Sequence, residues 1–326
     1  VRAVVCHELG PIDRLRVEER PSAPLRPGQV RIAVTAAGVN YVDGLFVQGR
    51  YQIRPQPPFV PGMEVVGRVS EVAADVGSVG VGERVFASVW LGGFADEVVV
   101  AAAGVVTLPD SLSDGQGATF MQSYMTGWYA LRERARVEAG QTMLVLGAGS
   151  GVGLAAVDIG AALGLRVIAA ASSADKRQLA LSHGAAAVID SSTDDVKERA
   201  KQLVADTGRG GVDYLYDPVG GELGATCLRA IGEDGHYLVI GFVAGIPNLP
   251  ANQVLLRNRR VTGVDWGAWA GRHPEENQRL LEEVLALITA GRLHPVEPRA
   301  YPLVDAARAL QDLADRRIAG KVALVP

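Results

Sequence analysis

Four glycines at alternate positions, Gly147, Gly149, Gly151 and Gly153, follow the apolar run 142–146 and open a stretch rich in Ala, Val and Gly. Glycines so placed let a chain turn sharply and let a ligand approach the backbone with no Cβ in the way. A helix starting there aims its first N–H groups at whatever lies over the turn, and that suits a pyrophosphate. The chemistry implied is dinucleotide binding, with Gly149, Ser150, Gly151, Val152 and Gly153 as the cradle. The strict G-x-G-x-x-G fingerprint is not met, because the register ending at Gly153 puts Ala148 and Ser150 at the other two sites. A glycine-rich turn without a ligand is the plain alternative.

The end of the next apolar run says which dinucleotide. Dinucleotide folds usually read the ribose 2′-hydroxyl there with an Asp or Glu, about 20 residues past the glycines. Here the position falls on Ala171, Ser172 and Ser173, followed by Lys176 and Arg177. No carboxylate is expected there to repel a 2′-phosphate, and two hydroxyls with two cations can hold one. NADPH is therefore expected over NADH. Asp175 reads as a cap on the following helix, and the bland alternative for Lys176 and Arg177 is a solvated helix start.

These residues need a frame. From residue 123 onward helices alternate with short apolar strands at 142–146, 166–171, 187–189, 214–217, 236–240 and 260–264, as a doubly wound parallel sheet requires. The first ~120 residues instead carry strand-like runs at 1–6, 29–36, 64–72, 84–89 and 95–100, broken by Gly and Pro. After Trp266 a helix over 273–290 and a final strand over 321–325 follow. The expectation is a discontinuous β-rich domain, 1–122 and 266–326, with a dinucleotide-binding domain, 123–265, inserted in it. A chain of 326 residues with 48% hydrophobic and 21% charged content has ample core for two domains. A net charge of −4 gives no reason to expect nucleic acid or an anionic membrane as partner. No apolar run has transmembrane length, the start lacks a signal-peptide pattern, and Cys6 and Cys227 read as buried reduced thiols, so a cytoplasmic protein is expected. The five histidines, His7, His183, His236, His273 and His294, are scattered without metal-ligand spacing.

Several segments in this order resemble the medium-chain dehydrogenase/reductase superfamily, and within it the zinc-free quinone oxidoreductase branch. They are AAGVNYVDGLFVQGRY (36–51), FVPGMEVVGRV (59–69), GAGSGVG (147–153), DPVGG (217–221) and VIGF (239–242). The resemblance implies a GroES-like β-rich catalytic domain beside a six-stranded Rossmann domain. Zinc-dependent relatives hold their metal with Cys, His and Cys. This chain has Asn40 and Met63 at the first two positions, and the third falls near Gln122 or Ser123. Thioether, amide and hydroxyl do not replace thiolate and imidazole for zinc, so no metal is expected.

The resemblance further implies direct hydride transfer from NADPH to a quinone or enone in a cleft between the domains. Asn40 would lie beside the nicotinamide ribose and substrate, Thr126 would face the nicotinamide, and the Gly241–Phe242 backbone would hold its carboxamide. Tyr51 would donate a hydrogen bond or proton to the developing oxyanion. Tyr51 as a packed loop aromatic and Asn40 as a turn residue are the bland alternatives. The basic run 257–260 reads as a solvated loop, as a contact for the phosphates of a coenzyme A ester, or as part of the edge through which two cofactor domains pair in a homodimer. Two rival functions stay open: an NADPH-dependent enoyl-CoA reductase of acryloyl or crotonyl type, and an NADPH-binding protein with little turnover.

Overall fold

The computed structural model describes all residues, Val1–Pro326. They form two compact units, Val1–Met121 with Pro295–Pro326, and Gln122–His294. The first unit opens with β1 (Arg2–Val5) and β2 (Arg16–Glu19), an antiparallel pair. There follow β3 (Gln29–Val39), α1 (Tyr41–Val47), β4 (Glu64–Val72), β5 (Arg84–Ser88), β6 (Glu97–Ala101) and β7 (Val105–Thr107). Next, α2 (Asp114–Trp128) carries the chain into the second unit.

There β8 (Thr142–Leu146), α3 (Gly151–Ala162), β9 (Arg166–Ala171), α4 (Ala174–Ser182), β10 (Ala187–Asp190) and α5 (Val196–Leu203) alternate. They continue as β11 (Val212–Asp217), α6 (Gly221–Cys227), β12 (Ile231–Val239), α7 (Ala251–Leu255) and β13 (Arg260–Gly263). The six strands make one parallel sheet in the order β10-β9-β8-β11-β12-β13. The order reverses between β8 and β11. A doubly wound sheet opens a crevice at such a reversal, outside the carboxyl ends of its strands. Every residue of β8 and β11 is buried, as strands covered on both faces must be. Full burial of a side chain such as Leu144 or Leu146 contributes about 1.5–3 kcal/mol.

The expected end of the insertion at 265 is corrected. The helices α8 (Trp266–Arg272) and α9 (Pro274–Thr289) belong to the second unit, and the chain leaves it only after His294. The cause is side-chain packing that a count of strands does not reveal. The apolar stripe of α9 buries Leu280, Leu281, Val284 and Ile288. Trp128 donates its Nε1–H to Glu283 at 2.9 Å, and Trp269 stacks on Tyr129 with centroids 4.6 Å apart.

The returning segment adds β14 (Arg299–Pro302), α10 (Ala306–Ala314) and β15 (Val322–Val325) to the first unit. Its seven-stranded sheet runs β14-β15-β3-β4-β5-β7, with β6 also on β3. The long β3 is its spine, alternating buried and more exposed residues before turning fully inward at its end. The core includes Ile32, Val34, Val39, Phe46, Val65, Phe94 and Leu324. The two cysteines are unbonded and buried, and burial raises both thiol pKa values, that of Cys227 to about 12. No helix is long and apolar enough to cross a membrane.

Candidate functional site

In the second unit the glycine-rich turn is built as a tight bracket between β8 and α3. Gly147 leaves the strand at φ 59°, a left-handed conformation that favours glycine. Ser150 is the N-cap of α3: its hydroxyl accepts from the Gly153 N–H at 3.2 Å and donates to the Gly147 carbonyl at 2.7 Å. A Cβ at Gly153 would lie 2.3 Å from the Gly147 oxygen, so any side chain there would push the helix off the strand. The result is a helix N-terminus, beginning at Gly151 and Val152, whose first N–H groups have no partner within the helix. That arrangement suits an anion and fits a pyrophosphate.

Across the turn stands the corner after β9. A Cβ on Gly149 would meet the Lys176 Cβ at 2.4 Å and Cγ at 2.5 Å, so the aliphatic stem of Lys176 lies directly over the glycine. Ser172 is exposed at the strand end. Ser173, rather than the expected Asp175, caps α4, accepting the Lys176 N–H at 3.5 Å. Asp175 sits within the first turn of that helix.

The expectation of no carboxylate at this corner needs correction. Asp190, at the end of β10, pairs in register with Ala171 and binds Arg177 at 2.8 Å. The guanidinium of Arg177 also donates to the Ala171 carbonyl at 3.2 Å. The acid comes not from β9 but, through sheet pairing, from the next strand.

At the end of β11, Asp217 ties two loops together. Its carboxylate accepts the Val219 and Gly220 N–H groups, each at 2.8 Å, and the Tyr237 hydroxyl. Burial raises its pKa, while the Tyr237 and backbone hydrogen bonds pull the other way. Its main-chain oxygen accepts from Ile240 and Gly241 at 3.0 and 3.2 Å, fixing the start of the Gly241–Phe242 segment. Phe242 is 44% exposed beside that rigid backbone. Thr126 is half-buried on α2.

In the first unit Asn40 caps the start of α1 and is buried. Its amide donates to Glu64 at 2.8 Å and accepts from the Lys321 ammonium at 2.8 Å, while its backbone N–H donates to Asp43 at 2.7 Å. Both ends of the amide are thus held by a buried charged cluster of Asp43, Glu64 and Lys321. Desolvation pushes the Asp43 carboxyl up to about 7 and lowers the pKa of Lys321. Lys321 was missed in the sequence, where its one signal is a lysine opening an otherwise apolar strand. Tyr51 lies past α1, 36% exposed, with its ring edge-on to Phe46 at 5.1 Å. Asn40 and Tyr51 therefore flank the same short helix.

Met63, at the second of the zinc positions, packs on the apolar core. The structure holds no group of three or more His, Cys, Asp or Glu side chains placed to hold a metal ion.

Comparison with known proteins agrees with this architecture. The profile of the alcohol dehydrogenase GroES-like domain matches residues 26–110, and that of the family described as zinc-binding dehydrogenase matches 151–286. Quinone oxidoreductase-like protein 2 of Bos taurus is 36% identical over 325 residues, covering 99% of this chain and 92% of its own length. The quinone oxidoreductase of Thermus thermophilus, solved also in complex with NADPH, superposes with a TM-score of 0.82 at 32% identity and full coverage of both chains. The Escherichia coli quinone oxidoreductase complexed with NADPH gives a TM-score of 0.88 at 27% identity, again over both whole chains. With the GroES-like model and the dehydrogenase model matched in the two units, and a 36% identical relative and these structures covering the chain end to end, the chain belongs to the medium-chain dehydrogenase/reductase superfamily, in the branch of the quinone oxidoreductases.

Proposed function

We propose that this chain is an NADPH-dependent reductase that passes hydride directly to a quinone or an enone. The observation that carries the reading is the closed glycine turn, with Ser150 capping α3 and the Lys176 stem laid over Gly149. The likeness to quinone oxidoreductases solved with NADPH supports the choice of cofactor. The cofactor, when bound, supplies a hydride at its nicotinamide. The backbone of Gly149, Ser150, Gly151, Val152 and Gly153 holds the pyrophosphate. Ser172, Lys176 and Arg177 meet the 2′-phosphate, where charge-assisted hydrogen bonds are strongest. The Gly241–Phe242 backbone would hold the carboxamide, and Thr126 would face the nicotinamide.

On the substrate side Asn40 orients the ribose and acceptor, and its own orientation is fixed by Glu64 and Lys321. Tyr51 donates a proton or hydrogen bond to the oxygen on which negative charge develops. Asn40 and Met63, where zinc-dependent relatives carry Cys and His, remove the ligands for a Lewis acid, so an acceptor that needs little polarisation fits best.

The test is the loss of reduced-nicotinamide absorbance with a simple quinone, a free enone and a short enoyl-CoA, using NADPH and NADH in parallel. Fast NADPH-dependent turnover of the quinone or enone is expected. Turnover confined to the CoA ester would move the protein to thioester reduction, and tight NADPH binding without turnover would leave a cofactor-binding role. In the same assay Tyr51→Phe is expected to lower kcat by about 100-fold or more, the range of a lost acid catalyst, and to leave NADPH affinity nearly unchanged. Unaltered turnover would reduce Tyr51 to a packing residue.

Pairing of two copies along the free edge of β13 is part of the same reading. That strand ends the parallel sheet, and Val261, Leu255 and Leu256 are exposed on and just before it. Sedimentation equilibrium is expected to return a dimer mass, and a monomer at micromolar concentration would refute the pairing.

A further inference from the structure

The corner after β9 holds a carboxylate and a cation where a dinucleotide fold ordinarily shows one or the other. Neighbouring strands lie about 4.8 Å apart, so the pairing of Asp190 with Ala171 brings an acid from β10 beside the strand end where the ribose is read. Asp190 Oδ2 binds Arg177 at 2.8 Å, and both side chains are only about a quarter exposed. Its other oxygen, Oδ1, accepts the Ser192 N–H at 3.0 Å and the Ser192 hydroxyl at 2.5 Å. Arg177 is tethered a second time, to the Ala171 carbonyl. Both partners are therefore fixed by groups outside the pair.

A fixed ion pair changes what the corner can recognise. An incoming 2′-phosphate must compete with Asp190 for the guanidinium, or share it with a carboxylate of its own sign close by. Lys176 reaches the corner by a different route, its stem running along Gly149. For a ribose that bears only a 2′-hydroxyl, the carboxylate is an acceptor and not a repulsion.

We propose that Asp190 tempers the coenzyme preference of this protein, restraining Arg177 so that NADH is disfavoured less than the two adjacent cations suggest. This rests on the NADPH reading above. It predicts a coupling between residues 177 and 190 that a purely structural ion pair would not produce in a ratio of two coenzymes.

The experiment is isothermal titration calorimetry of NADPH and NADH against the wild type, Asp190→Asn, Arg177→Ala, the double variant and Lys176→Ala. Asn keeps an oxygen for Ser192 and replaces the oxygen that binds Arg177 with an uncharged NH2. D190N is expected to raise the NADPH-to-NADH affinity ratio by about tenfold, the gain of one uncompensated charge-assisted contact. R177A is expected to cost NADPH less than about threefold in the wild-type background and about tenfold in the D190N background. A ratio in D190N within about twofold of the wild type, or equal costs of R177A in both backgrounds, would overturn the assignment of Asp190. Lys176→Ala separates the two levels. If the wild type binds both coenzymes and K176A loses NADPH while D190N changes nothing, the Asp190 assignment alone falls. If the wild type binds neither coenzyme, or binds NADH and not NADPH, the NADPH reading falls and takes this assignment with it.

Discussion

Replacing Lys176 and Arg177 together by alanine is expected to weaken NADPH binding by about 30- to 100-fold while NADH affinity moves by less than about threefold. The magnitude follows from the chemistry of the corner. A hydrogen bond to a charged group is worth about 1.5–3 kcal/mol, and each 1.4 kcal/mol is roughly a factor of ten. The charge of Arg177 is already engaged by Asp190, which keeps the expected loss below that of two unrestrained charge-assisted contacts. The small allowance for NADH comes from the Lys176 stem, which covers Gly149 and helps shape the turn for any dinucleotide. Titration of the two coenzymes against the double variant checks this. Equal losses for NADPH and NADH would make both residues part of the turn's packing and remove the 2′-phosphate from the site.

The parallel sheet was legible in the sequence because its central strands, such as β8 and β11, are short runs covered on both faces, and such runs stand out between helices. The strand expected over 142–146 is β8, and that over 166–171 is β9, residue for residue. The glycine turn was legible for the same local reason: its residues adjoin one another. What the sequence hid was partnership across the sheet. Asp190 meets Arg177 only because β10 lies beside β9, and no periodicity reports which strands are neighbours. Trp128 and Glu283, which draw α9 into the second unit, are 155 positions apart. Asn40 and Lys321 are separated by 281, and they meet because β15 runs antiparallel to β3 with Val322 opposite Val39. Asn40 itself was visible as a candidate. That its amide is clamped at both ends was not.

That clamp carries the largest expected effect on stability. Lys321→Met is expected to destabilise the protein by about 3–5 kcal/mol at pH 8.5, the usual cost of leaving a buried charge without its counter-ion. Asp43 and Glu64 are both buried beside Lys321, and methionine of similar length offers neither of them a cation. The pH dependence distinguishes this from a simple packing defect. Burial raises the Asp43 pKa in the folded protein to about 7, above the ordinary carboxylate value. Between those two values the folded state binds more proton than the unfolded state. Wild-type stability therefore falls as pH rises through that window. Lys321 opposes the upward shift, so its removal pushes the Asp43 carboxyl higher still and extends the window above pH 7. At pH 5.5 Asp43 is largely protonated in both proteins, and the variant loses less by lacking the cation. The difference in unfolding free energy between variant and wild type, from urea titrations, should accordingly be clearly smaller at pH 5.5 than at pH 8.5. A difference that stays constant between the two would mean that Asp43 does not titrate against Lys321 and that the lysine is held by Glu64 and Asn40 alone.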